Sequence, residues 1–296
     1  MLVRLILNML ISERTETMNR LISVLITAAI LMGTFSLPAR AEVRESNVQI
    51  VYVDVTEELD DPFIGESIPD EEAYIPEGLE KATESIIGKD TRIRIRNCGK
   101  FPYTAMALLE VEYKCGCWAL GTGFMASRCR MLTAAHCLYC TDHHSPARYI
   151  DFFFGYDHAR STSYYVYSGK FTAYLGTRFN KTVQVEKDYA VIKFPVSIGA
   201  RTGYLAPQWE LSEKRLTNRN CYVAGYSLGR SLKYGKGRIH VMDETRIRYE
   251  TDTQAGESGG PIYTTAYKVL GIHTDGGKRF NYGQRLTKAV LTLFRK

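Results

Sequence analysis

Residues 256–261 read Gly-Glu-Ser-Gly-Gly-Pro, and this stretch is the strongest local signal in the chain. Acyl-transfer chemistry needs a serine hydroxyl on a tight turn, with backbone N–H groups aimed where negative charge develops. Glycine permits such a turn because it has no Cβ that could clash. Ser258 is therefore a candidate nucleophile, and the N–H groups of Gly256 and Ser258 are candidate oxyanion donors. An ordinary Gly-Ser turn has the same composition, so other parts of the chain must decide.

A histidine and an aspartate complete the candidate set. Residues 132–137 read Leu-Thr-Ala-Ala-His-Cys, which places His136 directly after a short β-like run. Such a histidine can meet a serine from a distant part of the fold and act as its general base. Of the aspartates between His136 and Ser258, Asp188 is favoured because it opens the apolar run 189–194. Each of these residues, taken alone, is more often structural.

The chain from Ser85 onward has an all-β character. Short segments rich in β-branched and aromatic residues alternate with Gly, Asn and Asp turns, which is typical of a barrel or sandwich. Only residues 287–295 show the apolar stripe of a helix. Predicted strands include 105–113, 130–134, 149–154, 163–167, 189–194, 222–226, 247–249, 262–264 and 269–273. One further strand-like stretch, 48–55, lies before this part of the chain.

Taken together, these motifs resemble the chymotrypsin-like serine proteases, in which His, Asp and Ser occur in this order. More narrowly, residues 85–296 resemble the secreted bacterial glutamyl endopeptidases, the V8-like family. Phe-Pro-Tyr at 101–103 and Tyr-Gly-Gln-Arg-Leu-Thr-Lys at 282–288 contribute to that similarity. The resemblance implies two packed six-stranded antiparallel β-barrels with a C-terminal helix. It also implies a triad in the cleft between the barrels, no cofactor and no metal.

The same resemblance implies a specificity pocket. Thr253 and His273 would bind the side chain of the residue before the cut bond, and both can donate hydrogen bonds to a carboxylate. We therefore expect a serine endopeptidase that cuts proteins or peptides after Glu, with Asp left open. One alternative is cleavage after Lys or Arg, because trypsin-like enzymes hold a carboxylate at the position of Asp252. A second alternative is a catalytically silent protease fold kept for binding.

Two departures from the family pattern stand out. Glu257 takes a position where this family usually has an amide. The trypsin branch has an acid there, which pairs with the new amino terminus after activation. Gly121 replaces the usual disulfide partner of Cys137, so we expect Cys117 to substitute.

The chain has seven cysteines, all of them after residue 84. Export makes disulfides the favoured interpretation, although their connectivity is open and the odd number leaves at least one thiol unpaired within the chain. The less favoured alternative is a zinc site. Its candidate ligands are Cys115, Cys117, Cys137, Cys140, His143 and His144.

The sequence divides into three parts. Residues 1–41 are interpreted as a signal peptide region, and the signal itself is expected to start at Met18. It contains an apolar run, 21–37, and an Ala-Arg-Ala cleavage site at 39–41. An uncleaved anchor is the alternative. Residues 42–84 contain fourteen acidic and two basic residues and are interpreted as a propeptide ending at Glu84. Residues 85–296 would be the mature protease domain, secreted to the extracellular space.

The charge of the chain also limits its partners. The net charge is +6, and residues 85–296 hold thirty-two basic and sixteen acidic residues. A basic domain attracts acidic substrate segments. The basic residues are scattered and form no nucleic-acid-binding motif, so no nucleic-acid partner is expected. The expected partners are substrates and the chain's own propeptide, with no stable membrane association and a monomeric state.

Overall fold

The computed structural model describes residues 44–53, 86–87, 89–176, 187–277 and 279–296. The predicted signal region and the junction between Glu84 and Ser85 lie outside the described residues. Of the predicted propeptide, residues 44–53 are described. Within these described ranges, no helix has the length and apolar character needed to cross a membrane.

Two β-sheets make up the described fold. The first contains β1 Val48–Val53, β3 Met106–Tyr113, β4 Trp118–Met125, β5 Arg130–Thr133, β6 Tyr139–Cys140, β7 Ser145–Phe154, β8 Tyr165–Tyr167, β9 Phe171–Gly176 and β10 Ala190–Lys193. The second contains β2 Ile93–Arg94, β11 Ala206–Pro207, β12 Asn220–Ser227, β13 Ser231–Val241, β14 Arg246–Tyr249, β15 Pro261–Tyr263, β16 Lys268–Gly276 and β17 Asn281–Arg285.

Each sheet has six antiparallel strands at its centre, which confirms the predicted double-barrel fold. In the first, the order is β9-β10-β5-β4-β3-β7. In the second, the order is β16-β15-β12-β13-β14-β17, and the pairing of β16 with β17 closes the barrel. The remaining strands extend these cores. Two of them, β1 and β11, pair in parallel with β9 and β16.

The apolar core follows from alternation along the strands. In β7, the side chains of Ile150, Phe152 and Phe154 are fully buried, while those between them are partly exposed. A second cluster joins the two barrels, with Leu108 and Phe124 from the first beside Tyr226 and other residues of the second. Burial of such side chains contributes about 1.5–3 kcal/mol each. This shared core holds the two barrels against each other.

Three short helices complete the described fold: α1 Ile198–Thr202, α2 Glu213–Leu216 and α3 Lys288–Arg295. The last confirms the helix predicted for 287–295. Its Val290 and Leu293 are fully buried. Phe294 packs against Trp209 with the ring centroids 5.0 Å apart.

Strand β1 comes from the acidic segment 42–84 and adds to the edge of the first barrel. Six consecutive residues pair in register with β9, from Val48 opposite Phe171 to Val53 opposite Gly176. The buried side chain of Asn47 precedes this ladder. Its Nδ2 donates to the carbonyl of Ile150 at 2.8 Å, and its Oδ1 accepts from the N–H of Ile150 at 2.9 Å. The segment is therefore bound by the same hydrogen bonds that build a sheet.

Candidate active site

The turn that carries Ser258 depends on glycines at two positions. Gly256 has φ +90° and Gly259 has φ +86°, a region that L side chains rarely adopt. A Cβ on Gly256 would lie 2.5 Å from the carbonyl oxygen of Tyr226, and one on Gly259 would lie 2.1 Å from that of Thr122. Any residue with a Cβ atom would therefore be strained and would clash at these two positions.

The peptide before Gly256 has a defined orientation. The carbonyl of Ala255 accepts a hydrogen bond from the N–H of Leu228 at 2.7 Å. Because a trans peptide directs its C=O and N–H to opposite sides, the N–H of Gly256 faces away from Leu228. The carbonyl of Gly256 is in turn held by the hydroxyl of Thr122 at 2.8 Å. The peptides on both sides of Gly256 are thus fixed before any substrate binds.

His136 and Asp188 meet as the sequence predicts. His136 lies in a 3-10 turn, Ala135–Cys137, that follows β5, and Asp188 lies two residues before β10. One carboxylate oxygen of Asp188 lies 2.6 Å from Nδ1 of the imidazole. The other accepts the backbone N–H of His136 at 2.9 Å. The same carboxylate therefore anchors both the ring and its backbone.

The environment of His136 alters its proton affinity. Burial lowers the pKa of His136, but the adjacent Asp188 carboxylate and Cys137 thiol raise it. The resulting pKa of His136 lies well above the ordinary value for histidine. The carboxylate stabilises the protonated imidazole, which is the form that a general base reaches after taking a proton.

Ser258 lies beside the histidine turn. Its carbonyl accepts the N–H of Thr122 at 2.8 Å and lies 3.4 Å from the thiol of Cys137, the residue after His136. Its hydroxyl donates to the carbonyl of Thr274 at 3.3 Å. In substrate-free enzymes, the hydrogen bond between nucleophile and base often tightens only when substrate binds.

The predicted pocket residues Thr253 and His273 are both 2% exposed. Nδ1 of His273 lies 2.6 Å from the hydroxyl of Tyr249 and 3.1 Å from the carbonyl oxygen of Tyr282. Burial lowers the pKa of His273 to about 4, so this imidazole is neutral at neutral pH. The backbone of His273 also exchanges hydrogen bonds with Gly259 and Gly260, at 2.7 and 2.8 Å. His273 is therefore joined directly to the Ser258 turn.

Asp252 is engaged by the chain itself. Its carboxylate accepts the N–H of Ile87 at 2.8 Å, the N–H of Thr91 at 2.9 Å and the hydroxyl of Thr91 at 2.8 Å. The residue is 2% exposed. The carboxylate that could recognise a basic substrate side chain is thus bonded to the segment that follows residue 85.

Glu257 is held by an internal arginine. The guanidinium of Arg92 is fully buried, and its Nη1 lies 2.5 Å from Oε1 of Glu257. Arg92 also binds Asp90 through Nε and Nη2, both at 3.0 Å. Burial raises the pKa of Glu257, and the charge of Arg92 opposes that shift. The acid beside Ser258 therefore has a cationic partner from within the chain, in place of the amino terminus used by the trypsin branch.

The cysteines do not form the expected pair. All seven carry free thiols in the structure. A Cβ on Gly121 would lie 2.7 Å from Sγ of Cys137, so Gly121 does occupy the place of a partner cysteine. Cys117, the expected substitute, lies instead 3.2 Å from Nδ1 of His143. The structure does not pair Cys117 with Cys137, because the thiol of Cys137 instead contacts the carbonyl of Ser258.

Two important side chains were not singled out from the sequence. Arg92 is distant from Glu257 along the chain, and nothing in its local sequence marks it as buried. Tyr249 appeared only as the end of a predicted strand. The acid at position 257 was the one available signal, because a buried carboxylate needs a cationic or hydrogen-bonding partner.

Comparison with known proteins places this architecture in a family. The model of the trypsin-like peptidase domain matches residues 121–272. This chain belongs to that family, and it is a serine endopeptidase, a peptide hydrolase of the chymotrypsin-like type. The solved structure of a Glu endopeptidase in complex with MPD has the same fold, with a TM-score of 0.62 at 22% identity. That match covers 71% of this chain and 97% of that one.

The curated relatives of this chain carry two different names. A glutamyl endopeptidase of Bacillus licheniformis is 28% identical over 223 residues, which are 70% of this chain and 67% of that protein. A protein named extracellular metalloprotease, from Bacillus subtilis, is 28% identical over 222 residues with the same coverage. A glutamyl endopeptidase of Staphylococcus aureus is 29% identical over 115 residues, 37% of this chain.

Proposed function

We propose that this chain is a secreted endopeptidase that cuts after Glu, with Ser258 as nucleophile, His136 as general base and Asp188 as its orienting acid. The observation that carries the triad is the Asp188 carboxylate, which bonds both the ring and the backbone of His136. His136 would take the proton of Ser258 as its oxygen attacks the peptide carbonyl. Water would then hydrolyse the acyl-enzyme.

The turn before Ser258 supports the same mechanism. With the Ala255 carbonyl bonded to Leu228, the N–H of Gly256 is free to join that of Ser258 in stabilising an oxyanion. Loss of one such donor costs about 2.7–4 kcal/mol in comparable sites. The rigidity of this turn supports a site that is assembled before substrate arrives.

Specificity for Glu is supported by the chemistry around His273. The Tyr249 hydroxyl lies 2.6 Å from Nδ1 of His273 and 2.8 Å from the carbonyl oxygen of Tyr282, and its one proton serves one of these two acceptors at a time. When that proton is donated to Nδ1, the proton of the neutral imidazole lies on Nε2. Nε2 can then donate to a substrate carboxylate, with Thr253 as a second donor. The names of the glutamyl endopeptidase relatives support the same preference. The competing Lys or Arg specificity requires Asp252, whose carboxylate already accepts three hydrogen bonds.

The proposal extends to processing. Residues 1–41 would direct export, residues 42–84 would form the propeptide, and residues 85–296 the mature enzyme. The bond after Glu84 has the side chain that the proposed pocket recognises. The enzyme would therefore process its own precursor.

A matched peptide series tests the function. The full chain is exported and allowed to mature, its amino terminus is read, and peptides that differ only in Glu, Gln, Asp or Lys before the reporter are compared. We expect Ser85 at the amino terminus and cleavage after Glu in strong preference to the isosteric Gln. Ser258→Ala is the inactive control. Equal rates for Glu and Gln would refute recognition of the carboxylate, and preference for Lys would assign specificity to Asp252.

A further inference from the structure

Four metal-binding side chains converge at one corner of the first barrel, outside the proposed triad. The Sγ atoms of Cys115, Cys117 and Cys140 and a ring nitrogen of His143 all lie within 4.8 Å of one another. Nδ1 of His143 is 3.2 Å from Sγ of Cys117 and 3.6 Å from Sγ of Cys140. Cys137, which the sequence placed in the candidate set, instead contacts the carbonyl of Ser258.

The two nitrogen–sulfur separations, 3.2 and 3.6 Å, lie close to those of a tetrahedral zinc site, and the three sulfurs lie within 4.8 Å of one another. Zn–S bonds of about 2.3 Å and Zn–N bonds of about 2.05 Å at tetrahedral angles place sulfur and nitrogen roughly 3.6 Å apart, and two sulfurs roughly 3.8 Å apart. A disulfide would use two of the three thiols and leave the third beside the histidine. In the structure all three thiols are free, and they cluster together with the imidazole.

We propose that Cys115, Cys117, Cys140 and His143 bind a structural zinc ion. Thiolates and imidazole form the ligand set that zinc prefers, and four protein ligands close the coordination sphere. The site would thus hold the fold together without taking part in the chemistry. Cys115 and His143 are exposed, which leaves a path for the ion, whereas Cys140 is 9% exposed and anchors the site to the core.

Local structure presents the ligands from two hairpins. Cys115 and Cys117 lie in the turn between β3 and β4, where Gly116 has φ +87°. The N–H of Gly116 donates to the carbonyl of Tyr113 at 2.9 Å and closes this turn. In the second hairpin, Cys140 ends β6 and His143 lies in the loop that leads to β7. Zinc would therefore cross-link two hairpins that already meet through the pairing of β3 with β7 and through the N–H of Lys114, which donates to the carbonyl of Pro146 at 2.9 Å.

The site is linked to the proposed base. The hydroxyl of Tyr113, two residues before Cys115, donates to the carbonyl of His136 at 3.2 Å and to that of Cys137 at 3.3 Å. By holding the β3–β4 turn against the strand after His136, zinc would position the histidine turn. This consequence rests on the proposed function, whereas zinc binding itself does not.

Metal content tests the site directly. The full chain carrying Ser258→Ala, which prevents self-digestion, is purified without chelators and analysed by atomic emission. We expect about one equivalent of zinc per chain, which is the content that one four-ligand site holds. Cys140→Ser and His143→Ala should each lose most of it. The matched controls should retain it. They are His144→Ala, next to His143 in the sequence, and Cys129→Ser, whose thiol lies 3.5 Å from the hydroxyl of Ser197.

A spectroscopic readout locates the ion. Trp118 follows Cys117 and is 62% exposed, and the chain has one other tryptophan, Trp209. In a Trp209→Phe background, zinc removal and return should change the fluorescence of Trp118 reversibly. Cobalt(II) should give the intense visible absorption of a tetrahedral thiolate site, and His143→Ala should abolish it.

Three outcomes would overturn the proposal. The first is an intact mass two hydrogens lower, with two of the cluster thiols lost to a disulfide and no zinc present. The second is four reduced ligands that bind neither zinc nor cobalt. The third is zinc that persists in both Cys140→Ser and His143→Ala, since the ion would then lie elsewhere. None of these results depends on whether the chain cuts after Glu.

Discussion

The histidine turn and the serine turn face each other across the two barrels, but different kinds of side chain lie beside them. The histidine turn lies next to soft ligands, three thiols and an imidazole at the tips of two hairpins. The serine turn rests on hard charges, with Glu257 bonded to the fully buried Arg92 and Arg92 bonded to Asp90. The thiol cluster is partly exposed, so solvent and dissolved ions can reach it. The side chains of Arg92 and Glu257 are buried, so solvent cannot reach them.

This difference separates two kinds of vulnerability. A buried ion pair is costly to break, because removing one partner leaves the other charge uncompensated. A thiol cluster near the surface responds to metal supply and to oxidants, without any change in sequence. Mutation is therefore the main way to disturb the Arg92–Glu257 pair, whereas the proposed zinc site would also respond to its surroundings.

The largest expected effect comes from Asp188→Asn, which alters the anchor of the histidine turn in the proposed triad. We expect kcat to fall roughly 10⁴-fold, because the amide no longer fixes the tautomer of His136 or stabilises its charged form. The raised pKa of His136 implies that activity is lost as the pH falls through a value above the ordinary one. Removing the carboxylate should move that acidic limb of kcat/KM to lower pH. An unchanged limb would show that Asp188 does not control His136.

The second largest effect is expected from breaking the ion pair between Arg92 and Glu257. Arg92→Met leaves Glu257 and Asp90 buried without their main cation, and we expect a loss of about 3–5 kcal/mol in unfolding free energy. Arg96→Met, on an exposed neighbour, should change stability by less than about 0.5 kcal/mol. Adding Glu257→Gln to Arg92→Met should recover part of the loss, as measured by urea unfolding. Additive losses in the double variant would refute the direct pairing.

A smaller effect is expected in the pocket that adjoins the serine turn. Tyr249→Phe removes the hydroxyl that lies against Nδ1 of His273, so the imidazole can adopt either tautomer. We expect the preference for Glu over Gln to fall about tenfold, equivalent to about 1.4 kcal/mol. The readout is kcat/KM on the matched peptides. Rates for both peptides that fall equally would assign Tyr249 a purely structural role.

The smallest effect concerns the link between the thiol cluster and the histidine turn. Tyr113→Phe removes the hydroxyl that donates to the carbonyls of His136 and Cys137. We expect a loss of about 1–1.5 kcal/mol in stability, the contribution of one shared hydrogen bond. The decline should appear in kcat more than in KM, because the turn that holds the base is loosened. A change in KM alone would argue against this link.

Motif residues and many alternating strands were readable from the sequence, but the strand that contains Gly121 and Gly123 was not. The prediction omitted β4, whose Gly121 and Gly123 look like turn residues. In the fold, these glycines provide room instead, since a Cβ on Gly123 would lie 2.5 Å from Sδ of Met131. Long-range packing, which local sequence does not show, decides between the two meanings of glycine.

The polar clusters show the same limit. The cysteines and histidine of the thiol cluster were recognised as candidate ligands, but Cys137 was included and disulfides were preferred. The folded structure alone shows that Cys140 belongs to the thiol cluster and Cys137 does not, because the cluster forms where two hairpin tips meet. Arg92 illustrates the stronger case, because its role depends on a partner that is 165 residues away. Neither spacing nor composition encodes such a contact.

Strand β1 has a consequence for the release of the acidic segment. While the chain is intact, Val48–Val53 reaches β9 as part of the same molecule, and its effective concentration is set by the tether. A cut after Glu84 would turn this pairing into an ordinary two-molecule equilibrium. The strand would then remain bound in concentrated enzyme and leave on dilution, uncovering the edge of β9. The fraction of enzyme that keeps the strand paired would thus depend on how far the enzyme has diffused from its source.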